Sequence, residues 1–140
     1  AQFIAGFMEQ KVGNNFGFSA FVSYGAFWIG LSIIKLFNHF EIYPSTGEDL
    51  GYYLLAWGLY SMIMLIASLR VHKAMTITFI FLELGFILLV LEHFGFPQPK
   101  VYAAIDLIIC ALCAWYMMAG IIINDLAGKT VLPMGAKFIK

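Results

Sequence analysis

Charge is what this sequence has least of. Only 11% of its 140 residues are Asp, Glu, Lys or Arg, against about a quarter in an ordinary water-soluble domain. With 62% of the chain hydrophobic, too little polar surface is left to cover a globule in water. The same figures exclude a disordered chain, which needs low hydrophobicity, and a nucleic-acid-binding one, which needs a basic patch. Eight basic residues balance eight acidic ones, so no polyanionic partner is expected. Cysteine is scarce as well: Cys110 and Cys113 are too few for a disulfide framework. All four prolines (Pro44, Pro97, Pro99 and Pro133) fall outside the long apolar stretches, so no such stretch is broken by one. Residues 1–8 lack the basic region that precedes the apolar core of a signal peptide. They read as the tail of a helix whose beginning is missing, and the chain as one truncated at its N-terminus.

What is present is a set of four long apolar runs, at 16–37, 50–69, 74–91 and 101–124. At about 1.5 Å of rise per residue each can cross, or nearly cross, a hydrocarbon core about 30 Å thick. Alternation of the strand type is absent, which excludes a barrel. Helices satisfy their own backbone groups in lipid. The fold expected is therefore an all-α integral membrane protein, a single transmembrane domain over 1–140. It has four complete spans plus the end of an upstream helix at 1–8. If the helices alternate, Lys11, Arg70, Lys73, Lys129, Lys137 and Lys140 share one side, and Lys35 and Lys100 the other. By the positive-inside rule the C-terminus is then cytoplasmic, and the chain a multi-pass protein of the plasma or inner membrane.

Few residues in the spans can do chemistry. Ser19, Ser23, Ala26 and Gly30 form a small-residue stripe on the first span, beside an aromatic-rich stripe of Ala20, Tyr24, Phe27 and Leu31. The plainest reading of the small stripe is close helix packing. The alternative is that Ser19, Ser23 and Tyr24 offer hydroxyls to a polar solute. Glu83 stands in mid-span, where an ionised carboxylate costs about 2.5–3.5 kcal/mol. It is either a proton-coupling group or a protonated acid bonded between helices. Asp106, nearer the outer end, is expected to reach interfacial water. Cys110 and Cys113, at i and i+3 with no His cluster nearby, read as ordinary buried thiols. His39, His72 and His93 lie at span ends. With no catalytic triad, phosphate loop or metal-ligand spacing, neither an enzyme nor a cofactor is indicated. No Lys or Arg occupies the middle of a span. A carboxylate crossing here meets hydroxyls, amides and backbone N–H groups only, which favours flux over tight capture.

Two motifs then resemble one family. Residues 14–28, Asn-Asn-Phe-Gly-Phe-Ser-Ala-Phe-Val-Ser-Tyr-Gly-Ala-Phe-Trp, are similar to a signature of the acetate and succinate uptake permeases, with Asn15 and Ser19 where Thr is usual. Residues 128–135, Gly-Lys-Thr-Val-Leu-Pro-Met-Gly, resemble that family's C-terminal motif. Ala5, Gly6, Glu9, Lys11, Gly13 and Asn14 match the end of the family's second helix. The resemblance implies a six-helix protomer assembled as a homo-hexamer in the lipid bilayer, with a solute path in each protomer. The solute would be acetate or another small monocarboxylate, succinate in some members, moved with protons. The family's apolar constriction would fall on Tyr24 and Leu82. Asn15, Ser19 and Ser23 would offer hydrogen bonds to the substrate, with Gln2 and Glu9 supporting the cytoplasmic half; the resemblance does not extend to Glu83, whose proton-coupling reading rests on its mid-span place alone. The family's Asn-Pro-Ala-Pro-Leu-Gly-Leu motif is absent, and Ile121 stands where some members have Glu. Two rival readings are a passive channel for small neutral amides such as urea, and a membrane fragment or subunit that does not transport.

Overall fold

The computed structural model describes residues 1–96 and 98–139; Pro97 and Lys140 lie outside them. Among the described residues there are five helices and no strand: α1 (Gln2–Lys11), α2 (Asn15–His39), α3 (Gly47–Ser68), α4 (Lys73–His93) and α5 (Pro99–Ala127). The last four are long and apolar enough to cross a membrane. The exterior agrees with that reading, since Ile63, Trp115 and Ile121 are 64%, 66% and 63% exposed, an apolar surface that a water-soluble monomer does not present on this scale. The chain divides into two compact units, Ala1–Thr46 and Gly47–Lys140.

The first unit is a hairpin of α1 and α2. Helix α1 gives way at Val12, and Gly13 turns the chain with a φ of 79°, a conformation glycine adopts without strain. Asn14 then starts α2: its side-chain oxygen accepts from the Gly17 backbone N–H at 3.0 Å, satisfying one of the free donors of the first turn. Its amide nitrogen donates to Glu9 Oε2 at 2.6 Å, which ties the end of α1 to the start of α2. The helices approach closely at two glycines. A Cβ at Gly6 would sit 2.6 Å from the Val22 backbone nitrogen, and one at Gly25 would sit 2.5 Å from that of Phe3. Small residues bring these helices together on the line of Phe18, Val22 and Gly25, about 100° around α2 from the Ser19–Ser23–Ala26 stripe.

In the second unit α4 packs against α3 on one side and α5 on the other. Along the α3–α4 seam, Thr76 Oγ1 donates to the Ser68 carbonyl at 3.0 Å. A Cβ at Gly58 would rest 3.5 Å from Phe86, and one at Gly51 3.1 Å from His93. Along the α4–α5 seam, Thr78 Oγ1 meets Met117 Sδ at 3.9 Å and Cys110 Sγ donates to the Thr78 carbonyl at 3.5 Å. Local chemistry sets the ends. His72 caps α4, its Nδ1 accepting from Met75 N–H at 3.1 Å; burial holds its pKa below the usual 6.5, so the ring is neutral at pH 7 and can accept. Pro99 opens α5 at a position whose missing N–H costs nothing, and Gly128 closes it with a φ of 60°.

Residues 128–139 are not a loose tail. Asn124 Oδ1 accepts from Val131 and Leu132 N–H at 2.7 and 2.9 Å, and its amide donates to the Leu132 carbonyl at 2.8 Å. Tyr116 Oη donates to the Pro133 carbonyl at 2.7 Å. The Met134 carbonyl accepts from Ala74 N–H at 3.0 Å, and Phe138 and Ile139 N–H both donate to the Leu69 carbonyl. The segment therefore straps the end of α5 to the start of α4 and the turn before it. Asn124→Ala removes three hydrogen bonds at once. Solvent can replace the one at exposed Val131, so a loss of about 1–2 kcal/mol is expected. Thermal unfolding in detergent should show that loss, with faster proteolysis within 128–139.

Candidate functional site

The candidate path residues fall in both units. Gln2, Glu9, Asn15, Ser19, Ser23 and Tyr24 belong to the first, and Leu82 and Glu83 to the second. Gln2 and Glu9 are half-buried at the two ends of α1. The Glu9 carboxylate is already engaged by Asn14, which is not among the sequence-predicted solute-binding residues. Its cue in the sequence was its place one turn before Gly17, where only a capping side chain supplies the acceptor α2 requires. Asn15 is exposed at the first position of α2, and Ser19 and Ser23 are half-buried.

Tyr24 is 8% exposed, flanked on the same stripe by Ala20 and Phe27 at 7% and 5%. This stripe lies about 160° around α2 from the line of Phe18, Val22 and Gly25 that meets α1. One face of the helix thus holds the hairpin together, and the opposite one carries the buried aromatic residues. Leu82 is half-buried on α4.

Glu83 is 7% exposed, and its Oε2 is buried without a hydrogen-bond partner among the described residues. It stands on the stripe of Thr76, Phe79 and Phe86, the α4 face that meets α3. The pairs Ser68 with Thr76, Gly58 with Phe86 and Gly51 with His93 put Ser61, wholly buried, opposite Glu83 in the register. Asp106 departs from the sequence expectation. It does not reach out from the end of a span but is 5% exposed, with Oδ2 buried and unpartnered. The reason is Gly85 on α4, whose missing side chain leaves a slot; a Cβ there would lie 3.0 Å from that oxygen.

Cys110 and Cys113 are both free thiols, the first buried and the second half-buried. A cavity of about 330 Å³ opens between α4, α5 and the strap, lined by Lys73, Ile77, Cys113, Tyr116, Pro133 and Met134 among others. None of the candidate path residues lines it.

Comparison with known proteins agrees with this architecture. The GPR1/FUN34/yaaH family profile matches residues 1–134. The succinate-acetate/proton symporter SatP of Escherichia coli K12 is 34% identical over 96% of this chain and 73% of its own length. Acetate permease A of Emericella nidulans is 36% identical over 86% of this chain and 46% of its own length. A solved structure described as that of the bacterial acetate channel SatP superposes with a TM-score of 0.92 at 34% identity, covering 96% of this chain and 75% of that one. Symporter, permease and channel are all names of proteins that pass solutes through a membrane. With four membrane-spanning helices and a family match over nearly its whole length, this chain is a multi-pass membrane protein belonging to the GPR1/FUN34/yaaH family, a family of transporters and not of enzymes.

Proposed function

We propose that this chain takes up acetate and related small monocarboxylates, and also the dicarboxylate succinate, together with protons. The observation that carries the reading is the 34% identity with a succinate-acetate/proton symporter across 96% of the chain. The absence of Lys and Arg from mid-span agrees with it, because a site without a buried cation holds an anion weakly and releases it readily. The path runs through each protomer of a hexamer. Tyr24 and Leu82 are the constriction residues proposed for it, acting by dewetting. Ser19, Ser23 and Asn15 lend hydrogen bonds to the carboxylate, and Gln2 and Glu9 shape the cytoplasmic half. Glu83 carries the proton.

The strap end of the second unit faces the cytoplasm. It gathers Lys73, whose ammonium lies 5.6 Å from the centre of the Phe138 ring, with Arg70, Lys129 and Lys137 on the neighbouring segments. Lys100, 3.8 Å from Glu92, marks the opposite end. This is the distribution that the positive-inside rule requires.

The test is uptake of labelled acetate into liposomes holding the purified chain, with and without an inward proton gradient. Saturable uptake stimulated by the gradient is expected, and Tyr24→Ala is expected to admit larger carboxylates that the unaltered chain excludes. No uptake beside an active SatP control would overturn the transport reading. Unchanged selectivity in Tyr24→Ala would overturn the constriction.

A further inference from the structure

Asp106 has no part in the path just described, yet it is the most deeply buried acid in the second unit. We infer that Asp106 is a second proton-binding site, set in the α4–α5 seam and loaded with a proton while that seam is closed.

The argument is geometric. The Oδ2 atom points into the slot that Gly85 leaves on α4, with Leu107 packed beside it, and no donor comes within hydrogen-bond reach among the described residues. An ionised carboxylate in that position would carry a full charge against apolar side chains, which costs several kcal/mol without a partner. The neutral acid escapes most of that penalty. Among the described residues no ion pair with Asp106 is formed. From α4 the seam presents Thr78 and Gly85, neither charged. The titratable groups of α5 nearest in sequence are Tyr102, Cys110, Lys100 and Cys113, of which Lys100 lies 3.8 Å from Glu92. Cys110 is turned to the Thr78 carbonyl. Glu83 projects from the other face of α4, toward α3, and Glu92, His93 and Lys100 associate with one another at the far end of the helix.

Glu83 and Gly85 are two residues apart, about 3 Å along the axis. The two acids therefore stand at one level, one on each seam of α4. Losing the proton from Asp106 leaves a bare charge in a closed apolar slot. The site therefore exchanges its proton only when α4 and α5 part.

Infrared spectroscopy of the whole chain in lipid, with its aspartates carrying ¹³C in the side-chain carboxyl, tests this without reference to transport. The chain has three aspartates, and Asp49 and Asp125 are both exposed. The expected result is a ¹³C-shifted band of a protonated carboxyl that is present at neutral pH and is missing from Asp106→Asn. Carboxylate bands alone at neutral pH would overturn the inference. So would a protonated band that survives in a folded Asp106→Asn chain. Reaction with dicyclohexylcarbodiimide gives a second reading. The neutral acid gives its proton to a carbodiimide nitrogen as its oxygen adds to the central carbon, and the adduct rearranges to a stable N-acylurea. Modification of Asp106 at neutral pH that falls in alkali is expected; modification of Glu83 with none at Asp106 would count against the site.

Discussion

Replacing Gly25 by alanine is expected to destabilise the α1–α2 hairpin by about 2 kcal/mol, whereas Gly58→Ala leaves stability unchanged or slightly raised. Both glycines are helical, and in both cases alanine gains up to about 1 kcal/mol of helix propensity. What the new methyl group meets decides the sign. At Gly25 it would lie 2.5, 2.6 and 2.7 Å from the nitrogen, Cα and Cβ of Phe3. Two of those atoms are backbone, so no side-chain rotation makes room and the helices must separate. Overpacking of this kind costs about 1–3 kcal/mol even where neighbours can shift, and here the close contact at Gly6 with Val22 is opened as well. At Gly58 the nearest atom is Phe86 Cβ at 3.5 Å, an ordinary van der Waals distance. Thermal unfolding of the two variants in the same detergent separates the cases. Equal loss in both would show that glycine is needed for bending and not for contact.

That contrast also marks what the sequence can and cannot convey. Length and hydropathy alone give the four spans, because a bilayer demands about 20 apolar residues and a self-satisfied backbone. The helices run a few residues past the apolar runs, where Asn14, His72, Pro99 and Gly128 cap or stop them. Which face of a helix meets which neighbour is another matter. In lipid both faces are apolar, so periodicity loses the contrast that orients a soluble helix. Thus the stripe of Ser19 and Ser23 stays open between packing and solute binding, and nothing in the pattern singles out Gly6 and Gly25, which make the α1–α2 contact. Asp106 read as an acid near the water because its burial depends on Gly85, which is distant in sequence. The motif at 128–135 was recognisable as a pattern, but its physical task was not. Only with Asn124, Tyr116, Ala74 and Leu69 in place does it become a strap. The buried positions of Tyr24 and Glu83 agree with the roles proposed for them, yet burial alone does not distinguish a gate from a packed ring.

Glu83→Gln makes that distinction for the acid, and it is expected to abolish the response of acetate uptake to a proton gradient while sparing acetate–acetate exchange. Glutamine keeps the volume of the protonated acid and can still donate a hydrogen bond, so the α3–α4 seam around Ser61, Phe79 and Phe86 should close as before. It cannot release a proton. If the Glu83 proton moves with each acetate, net uptake driven by the gradient should fall by more than about tenfold, equivalent to roughly 1.4 kcal/mol. Exchange, which requires no net proton movement, should change little. The pH dependence follows in the same direction. In the unaltered chain uptake declines as alkali strips the proton from the acid, and in Glu83→Gln the rate no longer depends on that titration. The stability of the seam gives an independent check. Ionised Glu83 would leave a buried charge with an unpartnered oxygen, so at high pH the glutamine chain should be the harder to unfold. Gradient-driven uptake identical to that of the unaltered chain at every pH would leave Glu83 as a neutral packing group, with the coupled proton travelling on the substrate itself.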